Sequence, residues 1–534
     1  MQRVEHIEAS RLKVQRHLDS SKTQAERNKL GQFATPGALA TEILEYARKS
    51  LPSTTKVRFL DPAFGTGSFY SALLKTFPRG RIESAFGFEI DERVSDSAAE
   101  LWGDELLQLK HADFTKQSAP TSEQHQANLL ICNPPYVRHH HLANGDKARL
   151  NVAVRQSLGI NLSGLAGLYC YFMCLAHSWM AEDGLAAWLI PSEFMDVNYG
   201  RAIKEYLLNQ VTLLRIHRFD PSDVQFDDAL VSSAVVWFKK SKPGSQHQVE
   251  FTFGGSLLKP SMSASVSAHV LRQAGKWTQF PQNGSHERES QDGIKLSDLF
   301  TIKRGIATGA NKFFILTPER IAELKLPKQF LIPILPSPRY LSSDEVLADQ
   351  HGDPKVDRKQ YLLSCKLPES EVKAKYASLW DYLESGKSEG VDEKYLSQHR
   401  SPWYSQEERQ PPLFLCTYIN RRVSEPRAVA TGQPVGQTFR FILNHSKAIA
   451  ANVYLLLYPK KPLADAIKAK PEQIGSVWRA LKAITSEALT GEGRVYGGGL
   501  YKMEPRELGN VSAEGIVSTL PSLPASADTQ GSLW

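Results

Sequence analysis

From residue 57 onward the chain alternates short apolar runs with segments of helical period, and this alternation restricts its fold more than any other feature. VRFLD (57–61) reads as a strand and SFYSALLKTF (68–77) as a helix. IESAFGFEID (82–91) ends in a second strand, and RVSDSAAELWGDELLQL (93–109) reads as a second helix. NLLICNPPY (128–136) is a strand and loop, GLYCYFMCLAHSWM (167–180) a helix, and GLAAWLIP (184–191) a further strand. Such alternation builds an α/β, Rossmann-like, doubly wound and mainly parallel sheet with helices on both faces. LLRIHRFD (213–220) and VSSAVVWFKK (231–240) are strand-like and suit an antiparallel edge.

Residues 1–28 read as a polar helical extension, with Leu12, Val14 and Leu18 as a thin apolar seam. In GQFATP (31–36), Thr35 and Pro36 suit a helix entry, Thr as cap and Pro at the first position. The expected catalytic domain is 29–240. Gly, Pro, Ser and Gln enrichment then marks 241–291 as a connecting region. A second, mixed α/β domain is expected over 292–510, with a small, polar, disordered tail over 511–534.

The five cysteines form no CxxC pair, and an odd count argues against a disulfide framework or zinc site. Cys170 and Cys174, one helical turn apart, read as core residues. This usage suits a reducing cytosol. The charged N-terminus shows no signal peptide, and no window reaches the ~18 apolar residues of a membrane span. The expectation is therefore a cytoplasmic protein without membrane contact. A formal charge of +7 permits a polyanionic partner without requiring one.

The chemistry starts at FLDPAFGTGSF (59–69), where a strand gives way to a helix. Gly65 and Gly67 allow a tight turn and close ligand approach, and Asp61 offers a carboxylate at the strand's carboxyl end, where open sheets bind ligands. Ala63 lies within the same loop. There is no P-loop lysine, and a carboxylate beside the glycines suits a cation better than a phosphate. S-adenosylmethionine, with its ammonium and sulfonium, meets that requirement. Glu89, in FGFEID beside Ile90, ends the next strand and can accept from ribose hydroxyls; Asp91 competes for that role. Asp113 could accept from an adenine amine, with Phe114 packing on the ring.

NPPY (133–136) follows the apolar run LLIC. An exocyclic amine is a poor nucleophile because its lone pair is delocalised into the ring. Two acceptors that hold its hydrogens favour a tetrahedral nitrogen, and the Asn133 oxygen and Pro134 carbonyl supply them. Pro134 and Pro135 stiffen the bend. Tyr136 can stack on an extruded base, and Phe226 is the candidate opposite wall. Arg138, the triplet His139–His141, Lys147, Arg149 and Arg155 crowd the following stretch and could contact phosphates. Adjacent histidines do not share a face, so no metal site is read there. Lys303, Arg304, Asn311, Lys312, Arg421 and Arg422 are DNA-contact candidates in the second domain.

Taken in order, GQFATP, DPAFGTGSF, GFEID, ADF and NPPY resemble the gamma-class adenine-N6 DNA methyltransferases of restriction–modification systems. The resemblance is strong over 28–240 and looser over IKLSDLFTIKRGIATGANKFFIL (294–316) and YGGGLYKMEPREL (496–508). It implies a class I S-adenosylmethionine-dependent methyltransferase fold followed by a target recognition domain. Thr35 and Pro36 would stand at the cofactor, Asp61 at its amino-acid moiety, Glu89 at the ribose, and Asp113 and Phe114 at its adenine. Asn133, Pro134 and Tyr136 would meet the target base, opposite Phe226. Double-stranded DNA is the implied partner, with a separately acting restriction endonuclease. Ala34 departs from the pattern, which often has an aromatic residue there. Methylation of a protein glutamine or an RNA base is the alternative, since an amide nitrogen poses the same problem.

Overall fold

The computed structural model describes residues 2–23, 26–27, 30–103, 106–220, 232–281, 293–421, 439–496 and 500–520. The chain divides into two compact units near Glu289/Ser290.

The first unit is built on a nine-stranded sheet in the order β3-β2-β1-β4-β5-β7-β6-β8-β9. The strands are β1 (Val57–Asp61), β2 (Ile82–Glu89), β3 (Leu107–His111), β4 (Ala127–Cys132), β5 (Met180–Pro191), β6 (Thr212–Arg218), β7 (Ser233–Lys239), β8 (Gln248–Gly255) and β9 (Pro260–Ser267). The first five run parallel, and β7 is antiparallel to both β5 and β6. The helices that matter for the site are α1 (Gln2–Ser20), α2 (Gly37–Ser50), α3 (Ser68–Thr76), α4 (Glu92–Trp102), α5 (Asn144–Leu158) and α6 (Leu168–Ala176). One core packs Leu130, Trp188 and Phe238 with α6; the other packs Phe59, Leu129 and Trp237 with α2 and α3. Strands buried on both faces explain the near-continuous apolar runs LLIC and AAWLI. The strand order reverses between β1 and β4, the switch point where open α/β sheets bind ligands.

Three parts of the chain fold differently from the sequence expectation. The end of the expected second helix is instead the edge strand β3, in which half-buried Leu107 and Leu109 alternate with exposed Gln108 and Lys110. Residues 241–291 are not simply a connection: β8 and β9 extend the sheet, burying Val249, Phe251 and Val266. The Gly-Ser composition there belongs to the hairpin turn, where Gly254 and Gly255 take positive φ. The segment after Asn510 is ordered as far as residue 520. Val511, Ile516 and Leu520 are buried, and the Val511 carbonyl accepts from Leu296 N at 2.8 Å. The rest of the tail lies outside the described residues.

The second unit carries a five-stranded sheet around Phe300–Arg304, Tyr454–Pro459, Phe414–Thr417 and Phe441–Asn444, with smaller sheets of four and three strands. It has its own apolar cores, centred on Phe414 and Leu455 and on Phe313 and Phe314. No described helix is long and apolar enough to cross a membrane.

Candidate active site

Asp61 ends β1 and Glu89 ends β2, so the parallel register brings both carboxylates to one edge of the sheet. Asp61 is 1% exposed and accepts a 3.1 Å hydrogen bond from Ala63 N. Burial, reinforced by the charge of Glu89, pushes its carboxyl up to about 8, against the pull of the Ala63 N–H. Glu89 accepts from Gly65 N and Asp91 N, both at 2.9 Å. Burial raises its pKa too, although these N–H groups oppose the shift. The turn between them depends on its glycines. At Gly67 (φ +89°) a Cβ would lie 2.4 Å from Trp102 Nε1, whereas a Cβ at Gly65 (φ +56°) would meet open space. Ile90 projects beside Glu89 with 65% of its surface exposed, an apolar face next to that carboxylate.

Of the remaining cofactor-side candidates, Pro36 lies just before α2 and Thr35 does not cap it. The Thr35 hydroxyl accepts from Asn133 Nδ2 at 3.0 Å, and its carbonyl accepts from Ser68 Oγ at 3.0 Å. Asp113 caps the short turn after β3, accepting from Thr115 N at 2.9 Å and from Thr115 Oγ1 at 2.7 Å. Phe114 is 2% exposed, packed against the rings of Phe88, Phe172 and Trp179. Asp91 ion-pairs with Lys22 at 2.7 Å.

The NPPY loop leaves β4 beside β1. Asn133 donates from Nδ2 to the Phe33 carbonyl at 2.9 Å and to Thr35 Oγ1 at 3.0 Å. A carbonyl only accepts, so the amide orientation is fixed by chemistry. The Asn133 Oδ1 is therefore directed elsewhere, and it is buried without a hydrogen-bond partner among the described residues. Such orphans cost free energy and call for an explanation. No described backbone N–H donates to the Pro134 carbonyl. Tyr136 is pinned: its hydroxyl donates to the Leu189 carbonyl at 3.0 Å, and burial raises its pKa. Its ring sits 5.7 Å from that of Phe33. Phe33, next to the noted Ala34, is the aromatic residue that sequence reasoning missed. Gly31 was missed as well: its carbonyl accepts from Tyr136 N at 3.1 Å, and a Cβ there would lie 2.4 Å from that nitrogen. Phe226 lies outside the described residues.

Among the polyanion candidates, Arg149 is already used. It donates to the Thr115 carbonyl at 2.9 Å and to Thr115 Oγ1 at 3.0 Å, tying α5 to the turn after β3. Arg138 is exposed and Lys147 half-buried on α5. The three histidines form one short turn with rings in mutual contact. Among the described residues no group of His, Cys, Asp and Glu could hold a metal ion. In the second unit Lys303, Arg304, Asn311 and Lys312 are exposed, and Arg304 lies 4.1 Å over the Tyr418 ring. Arg421 ends the strand Ile419–Arg421, its side chain beyond what is described, and Arg422 lies outside the described residues. Unforeseen are Arg339 and Arg358, which lie 4.6 and 4.1 Å over the exposed ring of Tyr340.

A parallel sheet with acid-tipped strands at its switch point, beside an NPPY loop with an orphaned acceptor, defines a methyltransferase of Rossmann-like fold. The Eco57I restriction-modification methylase family model matches residues 73–225, and that for the C-terminal domain of Type II methyltransferase M.Eco57I matches 285–525. Type II methyltransferase M.AccI of Acinetobacter calcoaceticus is 24% identical over 93% of this chain and 87% of its own. M.XamI of Xanthomonas campestris pv. amaranthicola is 26% identical over 90% of this chain and 84% of its own. The Type IIL restriction-modification enzyme MmeI, solved in complex with DNA, overlays with a TM-score of 0.49 at 14% identity, over 90% of this chain and 70% of that one. The chain belongs to the restriction–modification DNA methyltransferases and is a modification enzyme.

Proposed function

We propose that this protein transfers a methyl group from S-adenosylmethionine to the N6 amine of an adenine flipped out of double-stranded DNA, as the modification partner of a separately acting restriction endonuclease. The observation that carries the reading is the buried, unpartnered Asn133 Oδ1, held in place by two hydrogen bonds from its own Nδ2. An amine hydrogen is the partner this oxygen lacks. The Pro134 carbonyl takes the second hydrogen, so the nitrogen lone pair is freed to attack. Tyr136, immobilised at its hydroxyl, and Phe33 offer aromatic surface beside the base. The proton leaves the nitrogen after transfer, so the site needs no strong base.

The donor set fits the cofactor. Asp61 and Glu89 suit its ammonium and ribose hydroxyls, the open space before Gly65 admits its amino-acid end, and Ile90 offers an apolar face to its adenine. When bound, it supplies the methyl on its sulfonium. Lys303, Arg304, Lys312, Arg339 and Arg358 are the DNA-contact candidates of the second unit. That unit, with its own cores, favours a large polymeric substrate over a glutamine side chain.

The test is nucleoside analysis of duplex DNA incubated with the protein and labelled cofactor. The expected product is N6-methyladenine at one short sequence; N4-methylcytosine, or label in protein alone, overturns the reading.

A pH dependence follows. The free Asp61 carboxyl keeps its proton up to about 8. A cationic ligand lowers that pKa, so binding below it expels a proton. Affinity for S-adenosylmethionine therefore rises between pH about 6 and about 7.5, by at most about tenfold per unit, until the ligand's own amine begins to deprotonate. The free protein shows the opposite sign. Its raised carboxyl pKa contributes stability at low pH that is lost as pH rises through about 8. Equilibrium dialysis across this range checks the first slope, and Asp61→Asn should flatten it.

A further inference from the structure

Helix α1 docks only in part through the apolar seam expected of it: Val14 and Leu18 are half-buried, and Ile7 packs against the core. Leu12 is 43% exposed, and the inward positions Glu8, Arg11 and Gln15, at helical spacing, are polar. Arg11 is 1% exposed and forms two 2.7 Å hydrogen bonds with the Glu8 carboxylate. Burying a guanidinium is costly unless its donors are satisfied, and a plain structural helix would bury leucine at this position. The third Arg11 nitrogen reaches the glycine turn: Nη1 donates to Thr66 Oγ1 at 3.1 Å. Thr66 stands between the two positive-φ glycines, and its hydroxyl donates onward to Gln15 Oε1 at 2.7 Å. The Thr66 carbonyl accepts from Trp102 Nε1 at 2.8 Å.

The turn is thus gripped by α1 through Thr66 Oγ1, by α4 through Trp102, and by β2 through Glu89. Just past α1, Lys22 donates to Asp91 Oδ2 at 2.7 Å and to Gln32 Oε1 at 2.8 Å. It therefore links the corner after Glu89 to the strip carrying Phe33 and Thr35, the two acceptors of Asn133. The N-terminal segment touches both ends of the cofactor side, at the turn and at the ribose corner.

We propose that Arg11, Gln15 and Lys22 are positioning residues for S-adenosylmethionine, holding the Gly65–Gly67 turn and the Glu89–Asp91 corner in the geometry that receives it. Cofactor affinity depends on such support, because a turn that must be ordered on binding costs free energy without altering the reacting groups. This inference rests on the cofactor reading given above. Thr66→Val is the cleanest probe, because it removes the hydroxyl and leaves no unpaired charge beyond one Arg11 donor. Thr66→Ser keeps the hydroxyl and is the control; Lys22→Met probes the second contact.

The measurements are dialysis of labelled S-adenosylmethionine without DNA, thermal unfolding, and steady-state kinetics. Thr66→Val and Lys22→Met should each weaken cofactor binding and raise its KM by roughly tenfold, the loss expected when a buried hydrogen bond is removed. Saturating kcat and the KM for DNA should stay near wild type, and Thr66→Ser should restore binding. Unchanged cofactor affinity in both variants overturns the proposal, whether or not the melting temperature falls, because helix packing alone then explains the network. A Thr66→Ser variant as weak as Thr66→Val overturns it as well. A wild-type protein that binds no S-adenosylmethionine contradicts the cofactor reading instead, so the two failures are distinguishable.

Discussion

Asn133→Ala should lower methyl transfer to DNA by roughly 10²–10³-fold, the loss typical of removing one pre-placed polar group from a reacting centre. Cofactor affinity should stay close to wild type, since Asn133 makes no contact with Asp61 or Glu89. Two consequences of the replacement need separating. The orphaned Oδ1 disappears, and the Phe33 carbonyl and Thr35 Oγ1 lose their donor. The second effect is structural and costs about 1–3 kcal/mol. Asn133→Asp separates them. It keeps an oxygen where Oδ1 stands but turns a carboxylate oxygen toward the Phe33 carbonyl, so anchoring is lost while an acceptor survives. Single-turnover rates should rank wild type above Asp and Asp above Ala. Equal rates for all three would show that the orphaned oxygen has no part in the chemistry.

Gly31→Ala should be nearly as damaging, although this residue touches no reacting atom in the proposed scheme. Its φ is +66°, where side chains are strained. A Cβ there would lie 2.4 Å from Tyr136 N and 2.7 Å from Val137 N. These are backbone atoms, with no flexible end to swing aside. The strip before α2 and the NPPY loop must therefore separate. Displacement of about 1 Å at a reacting centre can lower a rate about 10²-fold. Turnover should fall by that order, with cofactor binding affected less. A variant with wild-type kcat would mean the two segments can part without cost to the site.

Much of this arrangement was legible in the sequence because it sits on regular elements. VRFLD, FGFE and LLIC are apolar runs ended by a polar residue, so Asp61, Glu89 and Asn133 could be assigned to strand ends before any coordinates. The parallel order then brings them to one edge. What escaped detection depends on contacts between segments far apart in sequence. Thr35 read as a helix cap because local pattern cannot reveal that its hydroxyl is taken by Asn133, 98 residues away. The packing of Phe114 was equally hidden, because it comes from Phe88, Phe172 and Trp179, on three other segments. Arg149 read as a phosphate contact because nothing local shows that it binds Thr115. The polar docking of α1 was invisible for a similar reason: a buried arginine looks like any surface arginine until its partners are placed. Strand β3 was missed although Leu107 and Leu109 alternate with exposed Gln108 and Lys110, because so short a run was read as the end of the preceding helix. Composition misled over β8 and β9, where a Gly-Ser turn was mistaken for a linker.

The central claim concerns one oxygen atom, and a structure of the protein with duplex DNA and a non-reactive cofactor analogue tests it most directly. The account predicts an adenine rotated out of the helix, its N6 within hydrogen-bonding distance of Asn133 Oδ1 and of the Pro134 carbonyl, with Asp61 and Glu89 on the analogue. An adenine still stacked in the duplex, or an extruded base whose amine pairs elsewhere while Asn133 Oδ1 stays buried and alone, contradicts it.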